Sequence, residues 1–255
     1  MLITASEIIK KSWETYSKNW KVFLPYMISL FTTSLTLGLV GILGLTIEKF
    51  LHRGSLVFIN NLFIAALTVA LLLLTLWLTI ALTKALKSFV EKKDIETLKE
   101  NLHQTGKYLW PVIWTSFLMF LAIIGGFVLF IIPAIIFAIW FSFYFYIVLF
   151  EDKTGVAALK SSRDLVVGRW WRILWLLIAP GIFYGVIVLV LQGTFTYPLS
   201  FIFEEGNLVA LFIRSFFNTA FSALFAPLSA LITLYLYLSA KENPVEKIPE
   251  TPEKI

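Results

Sequence analysis

The chain has 255 residues, 59% of them hydrophobic and 15% charged, with a formal net charge of +5. A soluble domain carries roughly 45–50% apolar and about 25% charged residues, so the apolar excess has to face lipid. With no cysteine and only His52 and His103 as histidines, disulfides and thiolate chemistry are excluded and a zinc or haem site has little to build on.

Residues 1–21 are polar and charged, not a short apolar run before a small-residue cleavage site, so the first span is expected to serve as its own targeting signal. Thr4 and Glu7 have the spacing of a capping box. Beyond them Ile9, Trp13, Tyr16 and Trp20 share one side of a helical wheel, with Glu7, Lys10, Lys11, Glu14, Lys18 and Lys21 opposite. This is the pattern of a helix lying in the membrane plane.

Span one is expected over Val22–Ile47 and span two over Ser55–Thr83. A second amphipathic unit follows, with Ile95, Leu98 and Leu102 at apolar spacing among Lys and Glu. Tyr108–Phe150 then carries no charge. As one helix it would run about 65 Å, roughly twice the hydrocarbon thickness of a bilayer. It is expected to fold back as spans three and four, with Gly125-Gly126 and Pro133 supplying the break. A third amphipathic unit places Val156, Leu159 and Val166 on one face and Lys160, Arg163 and Asp164 off it. Ile173–Phe203 holds span five, ending near Gln192-Gly193, and Ser215–Ala240 holds span six. Between them Phe195, Tyr197, Pro198, Phe201 and Phe203 precede Glu204-Glu205 and read as an aromatic lid on the outer side. The tail from Lys241 to Ile255 is charged and proline-rich and is expected to be disordered.

The three amphipathic units end alike, at Lys18-Asn19-Trp20-Lys21, Gly106-Lys107-Tyr108-Leu109-Trp110 and Gly168-Arg169-Trp170-Trp171-Arg172. A Gly or Asn that accepts the left-handed conformation stops each helix. A basic residue then snorkels to the headgroups, and an aromatic ring marks the interface. Trp13, Trp20, Lys107, Trp110, Arg169, Trp170 and Trp171 are therefore expected as interfacial anchors. Units one and three also align at a fixed offset, Ser12 with Ser162, Glu14 with Asp164 and Trp20 with Trp170. The reading is an all-α polytopic bundle of about six spans. It forms one membrane domain over 1–240, in three repeats of an amphipathic helix plus two spans, roughly 1–83, 84–150 and 151–240, followed by the tail 241–255.

With six spans, every Lys and Arg except Lys49, Arg53 and Arg214 falls on one side of the membrane. The positive-inside rule puts that side, with both termini, in the cytoplasm. Anionic lipid headgroups, and not nucleic acid, are the expected partner of this charge.

No Asp, Glu, Lys or Arg lies within an expected span core, which argues against a proton-coupled pump or a voltage sensor. Milder polar stripes run along span one (Ser29, Thr32, Thr33, Thr36), span two (Asn61, Thr68, Thr75, Thr79, Thr83) and span six (Asn218, Ser222, Ser229, Thr233, with Arg214 and Pro227). Such stripes serve helix packing. The sharper alternative is a ligand cavity, with Thr68, Thr75, Arg214, Asn218 and Ser222 meeting an anionic or amphiphilic molecule.

Phe130–Leu174 carries Ile132-Pro133, Trp140-Phe141-Ser142, Glu151-Asp152, Gly155 and Ala158-Leu159-Lys160-Ser161-Ser162 ahead of Gly168-Arg169-Trp170. In these features it resembles the YciC-like inner-membrane proteins and the membrane domain found ahead of some glycerophosphodiester phosphodiesterases. Ala134 departs from the glycine expected after that proline. The resemblance implies a multi-span prokaryotic plasma-membrane protein. It carries over no enzymatic role, because the catalytic residues of the fused members sit in a separate soluble domain. The chain shows no nucleophile–base pair, metal site or phosphate loop and implies no cofactor. The expected function is therefore that of a non-catalytic membrane scaffold or regulatory subunit, docking a protein through its amphipathic helices. The alternative is a transporter or binding protein for a lipid or another amphiphile.

Overall fold

In the computed structural model, which describes residues 2–50, 54–93, 96–204 and 207–244, every regular element is helical. In chain order these are α1 (Ala5–Phe50), α2 (Gly54–Val90), α3 (Leu98–Thr105), α4 (Leu109–Leu129), α5 (Ile131–Trp140) and α6 (Tyr144–Glu151). Then come α7 (Gly155–Val166), α8 (Trp170–Thr196), α9 (Leu199–Ile202) and α10 (Leu208–Glu242). Six stretches are long and apolar enough to cross a membrane: Ala5–Gly44, Gly54–Val90, Leu98–Val128, Ile131–Glu151, Trp170–Ile202 and Leu208–Glu242. Their outer faces carry large apolar side chains such as Phe58, Phe63, Phe120 and Leu189, all exposed. In water such surface would be a heavy liability, whereas lipid solvates it. Helices satisfy their own backbone, which is what a spanning segment requires.

Two compact units share these helices. One takes the N-terminal residues through Ile8, Trp110–Ala179 and the chain from Thr233; the other takes Ile9–Leu109 and Pro180–Ile232.

In the first unit, α4 and α5 make the expected hairpin, but the break is elsewhere. α4 runs straight through Gly125 and Gly126, and the chain reverses at Phe130, whose backbone is extended. Pro133 sits inside the first turn of α5, where a missing N–H is not needed. Gly126 serves close approach instead: a Cβ there would lie 2.9 Å from the backbone nitrogen of Ala134. Span four is itself interrupted at Phe141–Phe143. Ser162 of α7 closes this interruption, accepting from the Phe143 N–H (3.0 Å) and donating to the Trp140 carbonyl (2.8 Å). Thr115 of α4 accepts the Gly155 N–H at 2.8 Å and so holds the start of α7. Glu151 gathers Lys153, Lys241 and the Tyr237 hydroxyl, at 3.0, 3.0 and 2.9 Å. Tyr237 stacks on Tyr146 with centroids 5.4 Å apart.

In the second unit, α1 is bent at Asn19, whose φ of −129° is non-helical. The amphipathic segment and the span are thus two helices in one. Tyr16 donates to the Leu224 carbonyl (2.8 Å) and Tyr184 to the Ile9 carbonyl (3.0 Å). α3 begins with a capping box, Thr97 and Glu100 exchanging bonds, and is pinned by Asn101. That buried amide donates to the Tyr26 hydroxyl oxygen and to the Ala81 carbonyl, both at 2.7 Å. Trp77 donates its indole N–H to the Leu102 carbonyl at 3.0 Å.

Several expectations are corrected. The capping box of Thr4 and Glu7 forms, but the buried stripe of that helix is Ile8, Ser12 and Tyr16, with Trp13 and Trp20 exposed. In α7 Leu159 and Val166 are buried, whereas Val156 is 71% exposed. α3 buries Asn101 and Thr105, with Leu98 and Leu102 only half-buried; Ile95 lies outside the described residues. Of the three expected helix stops, only Gly168 is left-handed, at φ 85°. Gly106 is right-handed because α3 continues through a 3-10 turn, Gly106–Tyr108, into α4. Asn19 ties its amide to the Thr15 carbonyl at 2.9 Å. α8 passes Gln192-Gly193 and runs to Thr196, and α10 continues through Lys241 to Glu242. The tail residues 245–255, and Glu205 of the outer segment, lie outside the described residues.

Candidate functional site

The first unit carries an apolar groove of about 740 Å³, within the range of ligand-holding clefts. One wall is a single face of α5, where Ile132, Ile135, Ile136 and Trp140 recur at helical spacing. The other is the joint between α7 and α8: Val167, Gly168, Trp170, Trp171 and Leu174. The joint is sharp because Gly168 takes a left-handed conformation that costs glycine nothing. The Arg169 N–H bonds the Val166 carbonyl across it at 3.1 Å. Leu174 follows Trp170 and Trp171 one turn later, so the three line the same side of α8.

The polar groups around the groove are few. Arg163 stacks its guanidinium over Trp140, 4.8 Å from the ring centroid, a cation–π contact. Arg163 is exposed and, among the described residues, makes no ion pair or side-chain hydrogen bond. The Trp170 indole N–H is buried without an acceptor. Trp170 and Trp171 meet edge to face at 4.6 Å, and Trp171 is 77% exposed. Arg169 faces inward and does not snorkel: it donates to the carbonyls of Leu165 (2.8 Å), Ala240 (2.7 Å) and Asn243. Its burial, and then the neighbouring Arg172 charge, lower its pKa. Arg172 donates to the Leu2 carbonyl at 2.8 Å, so this end of α8 is braced on the residues ahead of α1 and on the end of α10. Such a frame holds the groove's wall still, and the wall itself offers lipid-like surface.

The anticipated anchors separate into two groups. Trp170 and Trp171 line the groove, with Arg169 bracing them. Trp13, Trp20 and Trp110 stand exposed, and Lys107 lies over the Tyr108 ring at 5.1 Å. The anticipated ligand cavity maps to the second unit. Arg214, Asn218 and Ser222 form one stripe of α10; Asn218 and Ser222 are exposed, and the Arg214 Nε is buried without an acceptor. Thr68 is half-buried, and Thr75 closes its hydroxyl on the Leu71 carbonyl of its own helix at 2.9 Å. The other hydroxyls of the α1 and α2 stripes behave likewise, Thr33 to Ser29 and Thr79 to Thr75 at 2.8 Å. No hydrogen bond joins Thr68 or Thr75 to the α10 trio among the described residues. A small polar pocket of about 110 Å³ in the same unit is lined by Lys84, Ser88, Glu96, Asn101 and Gln104.

Sequence reasoning missed Trp140, Ile135, Ile136 and Arg163 as site residues. The i, i+3, i+4, i+8 spacing of Ile132, Ile135, Ile136 and Trp140 was the available signal. An apolar face is unremarkable inside a span, so the pattern alone does not distinguish groove from bilayer. No protein-family model, curated protein or solved structure matches this chain.

Proposed function

We propose that this chain is a non-catalytic, multi-pass membrane protein that binds a lipid or similar amphiphile in the groove between α5 and the α7–α8 joint. The observation that carries the reading is the groove itself: an apolar cleft of about 740 Å³ with an uncommitted guanidinium beside Trp140. Apolar lining with few placed polar groups is the composition of a site for an amphiphile. On this reading both termini are cytoplasmic, the membrane is a prokaryotic plasma membrane, and the chain is a YciC-like protein. The basic segments would then meet anionic headgroups.

The three-repeat organisation is part of the proposal. It is supported by a shared device: α3 sends Asn101 to the Ala81 carbonyl of α2, and α7 sends Ser162 to the Trp140 carbonyl of α5. In α1 the position matched to Ser162 is Ser12, which is also fully buried, although its hydroxyl has no partner among the described residues and does not repeat the bond.

The test is photo-crosslinking with a phospholipid bearing a diazirine on its acyl chain. We expect label concentrated on residues 131–140 and 167–174, and lost from both in an Ile136→Trp variant that fills the groove. Label spread evenly over the exposed faces of all six spans would show only general lipid contact and would reject the site.

A second reading, a scaffold or regulatory subunit, is favoured by the exposed charged side of the first amphipathic segment, where Lys10, Lys11, Glu14 and Lys18 are all open to solvent. Reversing the charge of Lys10, Lys11 and Lys18 is expected to remove a co-purifying protein at constant expression. A complex that survives the change rejects docking through this helix.

A further inference from the structure

We infer that the groove selects an anionic glycerophospholipid, with one acyl chain between α5 and α8 and its phosphodiester on Arg163. This rests on the amphiphile-binding reading above and adds the class of ligand. Arg163 is the cation whose place relative to the groove is set by contact, since its guanidinium lies 4.8 Å from the ring of Trp140, a lining residue. The contact with the ring face holds the guanidinium beside the groove, and its N–H groups, which have no protein acceptor among the described residues, are left for an anion. Those donors have no carboxylate partner among the described residues, although Asp164 is next in sequence. Lys160, three residues back on the same side of α7, is likewise exposed and adds a second positive charge.

A guanidinium fork matches the geometry of a phosphodiester. The apolar lining below it accepts a chain and offers a free inorganic anion nothing. Charge complementarity at the rim and apolar surface beneath it together describe a two-part ligand. Arg169 is not part of this recognition, because all three of its guanidinium nitrogens donate to backbone carbonyls. Arg172, tied by one nitrogen to the Leu2 carbonyl, has among the described residues no contact with a lining ring that places it at the groove as Arg163 is placed.

The experiment is native mass spectrometry of the full chain, presented with phosphatidylglycerol and phosphatidylcholine of identical acyl composition in equal amounts. We expect phosphatidylglycerol to be retained preferentially. Arg163→Gln should lower that preference about fivefold, the effect of one basic residue near an anionic surface, while total lipid retained stays the same. Ile136→Trp should lose both lipids. Equal retention of the two lipids by the unaltered chain, or a preference that survives Arg163→Gln, overturns the headgroup assignment while leaving the groove. Loss of phosphatidylglycerol to millimolar inorganic phosphate overturns it in favour of a free-anion site. If the unaltered chain retains neither lipid, the amphiphile-binding reading itself fails.

Discussion

Gly126→Ala is expected to destabilise the protein by about 1–3 kcal/mol, the usual cost of forcing extra atoms into a packed interface. Both Gly125 and Gly126 lie in the interior of α4, where alanine is intrinsically the better helix former by about 1 kcal/mol. The two sites differ only in what the new methyl meets. At Gly125 it enters open space. At Gly126 it meets the Ala134 nitrogen at 2.9 Å, the Ala134 Cα at 3.0 Å and a Phe137 ring carbon at 2.9 Å. Two of those atoms belong to backbone and cannot swing aside, so α4 and α5 have to part. Gly125→Ala is therefore the matched control and should be neutral or slightly stabilising. Thermal unfolding in micelles, followed by tryptophan fluorescence, decides it. Equal midpoints for the two variants would mean the hairpin is not closed at Gly126. Because Ile132, Ile135 and Ile136 ride on α5, Gly126→Ala should also weaken lipid retention in the groove.

Asn101→Leu has the second-largest expected effect, a loss of about 2 kcal/mol. The volume is nearly conserved, so little of this comes from a cavity. What is lost are the two bonds from one amide nitrogen, to the Tyr26 oxygen and the Ala81 carbonyl. Tyr26 is 2% exposed, and its oxygen then has no Asn101 donor and no route to water. α3 is eight residues long, too short to persist without tertiary support. Losing the Asn101 tie should loosen α3 as well as lower the global midpoint. Hydrogen exchange over residues 98–105 is the discriminating measurement. Faster exchange there with an unchanged span signal is the expected pattern, and unaltered exchange would show that Trp77 and the capping box suffice.

How much of this was legible in the sequence depends on the distance over which each feature is decided. The span count and the capping spacing of Thr4 and Glu7 are decided within a few residues, by composition and local hydrogen bonding. So is the place of the break at Asn19, though not its form, which is a bend and not a left-handed stop. The hairpin within Tyr108–Phe150 followed from length alone, since no single helix of that length fits a bilayer. Its breakpoint did not. Glycine in lipid is tolerated within a helix and serves close approach, so the Gly125-Gly126 pair marked packing, not a turn. Amphipathic faces were misjudged for a related reason: in a membrane the aromatic side of an interfacial helix turns outward. Trp13 and Trp20 therefore face away from the core, and the small Ser12 is buried.

By itself, the sequence determined that the chain is helical, that six stretches are apolar and long enough to cross a membrane, and where its basic segments fall. These follow from hydrophobic burial and backbone hydrogen bonding, which act along the chain. Only the tertiary structure decided which side chains are spoken for. Arg169 and Arg163 stand six residues apart in similar basic company. One is spent on the carbonyls of Ala240 and Asn243, and the other stays open above Trp140. No local pattern distinguishes them, because the acceptors that bind Arg169 arrive from the far end of the chain.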